Sequence, residues 1–102
     1  MSTYQSFFDS QLTSEIKKYT TDFGEFFSSG ASIPSAGSAS ASYQQTLGGA
    51  ASGSCAVAVT GGSLVTHTSP ALSAAGAYTF TVTANVTDGQ TRKALWFVRV
   101  DA

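Results

Sequence analysis

The chain has 102 residues, of which 42% are hydrophobic and only 11% are charged, and its formal net charge is -1. This length supports a single domain with one core. A charge so close to zero provides no field that would attract nucleic acid or an anionic lipid surface, which argues against either as the main partner.

Residues 1–18 are expected to form an aromatic and polar arm in front of the domain. Phe8, Leu12 and Ile16 recur with Tyr19 at helical spacing, which predicts a short amphipathic helix. The serines and threonines of the same stretch favour instead an irregular arm whose aromatic side chains cover one end of the domain. The sequence alone leaves both interpretations open.

Aromatic residues are concentrated just after the arm, at Tyr19, Phe23, Phe26 and Phe27. Phe23 and Phe27 are predicted to enter the core where the first strand of the domain begins. Three phenylalanines within five positions are more than one small core absorbs easily. We therefore expect at least one of them to reach a partner, with Phe26 as the candidate.

The middle of the chain, residues 28–54, is dominated by Ser, Ala and Gly, a composition typical of a flexible linker. Within it, however, Ala39, Ala41 and Tyr43 alternate with serines, which is the pattern of a strand built from small residues. Gly48-Gly49 then indicates a turn. The prediction is a strand between two loops.

Alternation becomes clear from Cys55 onward. Cys55, Val57 and Val59 share one face of a predicted strand, Gly61-Gly62 indicates a tight turn, and residues 64–68 are predicted to form the next strand.

The last two predicted strands are the strongest. The first alternates apolar residues with threonines, and the second carries its own apolar face: Tyr78, Phe80, Val82, Ala84 and Val86, then Ala94, Trp96, Val98 and Val100. Asp88-Gly89 between them predicts a two-residue type I′ turn. Six or seven such strands predict an all-β, immunoglobulin-like antiparallel β-sandwich over residues 19–102, with the arm 1–18 attached to it.

No arrangement of residues predicts catalysis, a cofactor, a metal site or a small-molecule substrate. His67, the single histidine, lies between threonines and is predicted to face solvent. Cys55, the single cysteine, alternates with valines and is predicted to be a buried small apolar side chain. A lone cysteine excludes an intrachain disulfide and is typical of a protein made in a reducing cytoplasm, and the N-terminus lacks a secretory signal pattern. No stretch is apolar enough to span a bilayer, so no membrane partner is expected.

The last strand indicates a protein-binding role, because Leu95 and Phe97 lie on the face opposite its core residues, beside Arg99. Polar residues are normally found on such a face. Either the arm folds back over these side chains or another subunit covers them. The interface candidates are Tyr4, Phe7, Phe8, Phe26, Leu95, Phe97 and Arg99.

Two regions of the sequence resemble a known family. The first is Tyr19-Thr20-Thr21-Asp22-Phe23, followed by Phe26-Phe27 and the Gly30-containing segment that leads to Ile33; the second comprises residues 75–83, 88–92 and 97–100. Together they are similar to the opening strand and closing hairpin of small virion proteins of tailed phages, the phage fiber–tail adaptor proteins.

The resemblance implies a structural virion protein in the neck or tail, joining fibers or neighbouring rings. Its expected partners are other virion proteins and copies of itself, and it would be made in the host cytoplasm and carried in the virion. The alternative is a capsid decoration or fiber-tip module of the same fold, which would bind a capsid lattice or a host surface glycan.

Overall fold

The structure, a computed structural model, describes residues 4–24, 27 and 30–102, and of Tyr4 it describes the backbone only. The strands are β1 (Tyr4–Leu12), β2 (Lys18–Asp22), β3 (Ala39–Leu47), β4 (Ser52–Thr60), β5 (Leu64–Thr68), β6 (Gly76–Asn85) and β7 (Thr91–Asp101). A short 3-10 helix, Ala36–Ser38, precedes β3. Within the described ranges the chain contains no helix with the length and apolar character needed to cross a membrane.

The strands form one curled sheet in the order β1-β7-β6-β3-β4-β5-β2. Strand β4 pairs with β3 through its first half and with β5 through its second half, so it passes from one layer of the sandwich to the other. All pairs are antiparallel except β1 and β7, which run parallel. The predicted all-β sandwich is confirmed, and its pairs are not all antiparallel, because the edge pair β1–β7 is parallel.

The core lies between the two layers and is supplied mainly by β6 and β7. The predicted inward faces of both strands are buried: Tyr78, Phe80, Val82 and Ala84 on β6, and Ala94, Trp96, Val98 and Val100 on β7. Strict period-2 alternation fixes which face turns inward, because a shift by one residue would expose every apolar side chain. Strand β5 spans the predicted residues 64–68, whereas β3 contains the predicted alternation of Ala39, Ala41 and Tyr43 and continues to Leu47.

Residues 4–12 are a strand, so the predicted helix and the irregular arm are both wrong for this stretch. Phe7 turns inward and stacks on Trp96 with ring centroids 4.4 Å apart. Gln11 is buried too; its amide oxygen accepts a 2.7 Å hydrogen bond from the Tyr19 hydroxyl, and its amide nitrogen donates to Ser69 Oγ at 3.0 Å. These contacts, with the ladder to β7, outweigh the helical spacing, which would have stabilised only a short and marginal helix.

The two predicted glycine turns have different outcomes. Gly61-Gly62 forms the expected turn, with φ of 64° and 74°. The type I′ prediction at Asp88-Gly89 is wrong, because only Gly89 has a positive φ (83°). Gly89 N–H donates to the Val86 carbonyl at 3.0 Å, so the turn is centred one residue earlier, on Thr87 and Asp88. The backbone N–H of Thr87 donates to the Ser32 carbonyl at 2.9 Å, which holds the turn in place.

The aromatic cluster after the arm enters the core as predicted. Phe23 is buried at 1% exposure, and Phe27 is half-buried against the core. Phe26, the candidate for reaching a partner, lies outside the described residues.

Candidate interaction surface

The outer face of β7 carries the apolar residues that the sequence singled out. Leu95 and Phe97 point away from the core and are half-buried. Their cross-strand neighbours on β6 are Thr81 and Thr79, respectively. Apolar side chains therefore stand beside a threonine-rich strip of β6.

Strand β1 adds a third apolar side chain to this face. Phe8 lies opposite Phe97 in the parallel register, and their rings stack with centroids 5.3 Å apart. Phe8 itself is 81% exposed. Strand β1 thus flanks β7 on one side rather than folding over it, and it leaves the Phe8 ring in solvent. We call Phe8, Leu95 and Phe97 the outer aromatic patch.

The charged residues of this face stand at the two ends of β7. Lys93 precedes the outer aromatic patch, and Arg99 follows it. The exposed Arg99 guanidinium pairs with the Asp101 carboxylate at 3.2 Å. A solvent-exposed pair of this kind contributes little to stability. The arrangement of an apolar centre and a polar rim is the one found in protein–protein contacts.

The remaining interface candidates have different positions. Tyr4 is the first residue of β1 and is in register with Lys93. Phe7 contacts the core side of Trp96, so it does not contribute to the outer face. No local pattern separates Phe7 from Phe8, because polar residues around them hide the alternation of β1.

His67 is buried, so the prediction that it faces solvent is wrong. Its imidazole is fully enclosed and packs against Tyr19, Phe80 and Trp96, with ring centroids 5.3, 5.4 and 5.8 Å away. Neither ring nitrogen has a hydrogen-bond partner among the described residues. Desolvation of the charged form lowers the pKa of His67 to about 4. The imidazole is therefore neutral at pH 7.

This burial predicts a loss of stability in mild acid. The unfolded chain takes up the proton near pH 6.5, whereas the folded chain resists it until about pH 4. The free energy of unfolding should therefore fall as the pH drops from about 6.5 to about 4, by about 3 kcal/mol, and the histidine should contribute no further loss below that. Urea titrations at several pH values measure it.

The matched variant for this prediction is His67→Leu, which keeps a similar volume and removes the titration. Its stability should change less than that of the parent chain between pH 6.5 and 4, because only the carboxylates remain to titrate there. Parallel pH profiles for both proteins would contradict the buried, neutral histidine.

Cys55 faces the core, as its alternation with valines predicted, but it is half-buried rather than buried. Burial raises the pKa of its thiol to about 11, so the reactive thiolate is scarce at neutral pH. Among the described residues, no group of three or more His, Cys, Asp or Glu side chains comes close enough together to hold a metal ion.

No protein-family model and no curated protein matches the chain. Among solved structures, it is similar to InlP of Listeria monocytogenes (18% identity, TM-score 0.59), covering 96% of this chain and 27% of InlP. It is also similar to CopC of Methylosinus trichosporium OB3b (19%, 0.59), covering 91% of this chain and 83% of CopC. A third similar structure is the 2,6-sialyltransferase of Photobacterium sp. JT-ISH-224 (13% identity, TM-score 0.51). The match covers 97% of this chain and 18% of the sialyltransferase. The chain thus spans well under two thirds of InlP and of the sialyltransferase, and likeness at these identities shows the β-sandwich fold alone.

Proposed function

We propose that the chain is a structural protein of a tailed-phage particle, an adaptor in the neck or tail that joins fibers or neighbouring rings through protein–protein contacts. The observation that carries the proposal is the outer aromatic patch, where the exposed ring of Phe8 stacks on the half-buried ring of Phe97. The resemblance of the opening and closing segments to fiber–tail adaptor proteins supports the assignment to a tailed-phage particle.

Physical chemistry favours a covered state for this patch. Aromatic side chains carry the largest apolar area per residue, and aromatic anchors in a polar rim dominate the energetics of many interfaces. The surface has few charges to keep copies apart, since 11% of the residues are charged and the net charge is -1. A subunit that works surrounded by other subunits tolerates such a surface.

The single histidine, His67, and the single cysteine, Cys55, support a role without catalysis. The only imidazole is enclosed by aromatic rings, so a substrate cannot reach it. The only thiol is half-buried with a raised pKa, which disfavours nucleophilic attack. We propose binding to other virion proteins and to copies of itself as the activity.

Phe97→Ser is expected to weaken assembly while leaving the fold intact. Its ring lies on the outer face, so the loss falls on contact with a partner rather than on the core. Loss of an aromatic anchor at an interface typically weakens binding about tenfold or more. Incorporation into particles measures the first effect, and circular dichroism of the isolated protein measures the second. Thr79→Ser, beside it on β6, is the control and should assemble normally.

The role itself is tested by protein mass spectrometry of particles purified from the virus or lysogen that encodes the chain. The chain should remain with tails or necks after a high-salt wash. Recovery with empty capsid shells instead would favour the decoration role, and absence from purified particles would contradict both.

A further inference from the structure

Strand β1 lies at one end of the sheet, and among the described residues it pairs with β7 alone. Backbone groups of successive strand residues point to opposite edges. Thr13, which directly follows β1, donates its N–H to the Asp101 carbonyl of β7 at 2.8 Å, so the odd-numbered residues face β7. The even-numbered residues of β1 therefore direct their N–H and C=O groups toward the free edge.

The C-terminal part of this edge is closed by local contacts. Ser10 donates its N–H to the Asp9 carboxylate at 2.7 Å, and its carbonyl accepts from Lys17 Nζ at 2.9 Å. Leu12 donates its N–H to the Glu15 carboxylate at 2.9 Å, and its carbonyl accepts from the Glu15 backbone N–H at 3.2 Å. Both residues therefore have no free backbone group left for another strand.

The N-terminal part of the edge lacks such a closure. On this side of β1, the described part of the chain offers no hydrogen-bond partner to Ser6 or Phe8. The sequence from Tyr4 to Phe8 also has no charged residue. Edge strands are normally protected by lysines, prolines, bulges or covering segments, so an uncharged and uncovered edge is a template for strand pairing.

We propose that this open edge pairs antiparallel with the same edge of a second copy of the chain, with the two-fold axis at Ser6. The free-edge positions Tyr4, Ser6 and Phe8 read aromatic, serine, aromatic, which makes the edge self-complementary. Ser6 then faces Ser6 of the second copy, position 4 faces Phe8 of the second copy, and about six backbone hydrogen bonds form.

The closed part of β1 selects this register. An axis at Phe8 would place Ser6 opposite Ser10, whose N–H and carbonyl are already bonded to Asp9 and Lys17. The axis at Ser6 is the one that uses the open positions and leaves the closed ones outside the pairing.

Pairing at β1 also joins the two outer aromatic patches on one face of a continuous sheet. Phe8 stands at the boundary between the copies, with Phe97 next to it in each copy. With a net charge of -1 per chain, repulsion between copies is small. This inference names a partner for the surface of the proposed function and rests on that function for its place in a particle.

The test is disulfide trapping in a Cys55→Ala background. In a hydrogen-bonded antiparallel pair the facing Cα atoms are about 5.5 Å apart, which is within disulfide range. Ser6→Cys should therefore give a covalent dimer under oxidised glutathione. Ser10→Cys is the control, because Ser10 is also exposed on the same strand, and the two introduced cysteines would stand about 27 Å apart in this register. We expect trapping at least about tenfold faster for Ser6→Cys; equal rates, or faster trapping of Ser10→Cys, would overturn the proposal.

A second pair of variants tests the contact without an added thiol. Ser6→Lys places like charges opposite each other at the axis and should weaken dimerisation at least about tenfold in sedimentation equilibrium, whereas Ser10→Lys should not. A parent chain that stays monomeric at millimolar concentration would overturn the inference. So would a β1 edge that pairs with an extended segment of another protein but not with a second copy of this chain. If the Ser6→Cys variant forms the disulfide dimer but the chain is absent from purified particles, the phage role is overturned and the strand pairing is retained.

Discussion

Replacing Trp96 with alanine is expected to lower the free energy of unfolding by about 3–5 kcal/mol, a large part of the stability of a domain this small. The indole is 8% exposed, and its ring stacks on Phe7 and lies 5.0 Å from Tyr19. Its Nε1 donates a 2.8 Å hydrogen bond to Thr21 Oγ1. Truncation leaves a cavity between the layers and a buried hydroxyl without its donor.

Urea unfolding followed by circular dichroism measures this loss, since Trp96 is the only tryptophan and its fluorescence disappears with it. Phe97→Ala removes the neighbouring aromatic ring from the outer face and is the control, with an expected loss well below that of Trp96→Ala. Similar losses for the two variants would mean that the inward and outward faces of β7 are assigned wrongly.

The second large effect is expected at Gly76, where alanine should lower the free energy of unfolding by about 3 kcal/mol or more. Gly76 has φ of 145°, a conformation that side chains rarely adopt. An added Cβ would collide with the Leu47 carbonyl oxygen and would lie 3.0 Å from Gln45 Nε2. Both atoms belong to residues of β3, which is hydrogen-bonded to β6, so they cannot easily move away from an added Cβ.

Gly61→Ala is the matched control, because Gly61 also has a positive φ (64°) but nothing lies within 4 Å of an added Cβ. Its cost should be the backbone strain alone, about 1–2 kcal/mol. Thermal unfolding of both variants separates strain from collision. A Gly76→Ala melting temperature equal to that of Gly61→Ala would contradict the close approach of β3 and β6.

The strands whose apolar residues alternate with threonine or serine could be predicted from sequence. Phe80 on β6, Trp96 on β7 and Ala41 on β3 are buried on the faces that local alternation assigns to the core. Such strands need only their own pattern to determine which side turns inward. Local sequence also indicated the outward position of Leu95 and Phe97.

Strand β1 and His67 could not be predicted, because their environment comes from distant segments. The inward side of β1 includes a buried glutamine, Gln11, whose partners Tyr19 and Ser69 lie elsewhere in the chain. His67 has threonines on both sides and is enclosed only because β2, β6 and β7 bring aromatic rings around it. No local pattern carries that information.

The parallel pairing of β1 with β7 has a consequence for synthesis of the chain. Tyr4 is in register with Lys93, so β1, which is synthesised first, cannot pair until β7 has been synthesised. At about 5–20 residues per second, that delay is on the order of 4–18 seconds. During this interval the rings of Phe7 and Phe8 have no β7 to pack on, and closure over so many residues slows folding further. We therefore expect β1 of the nascent chain to lack its partner strand until β7 emerges from the ribosome.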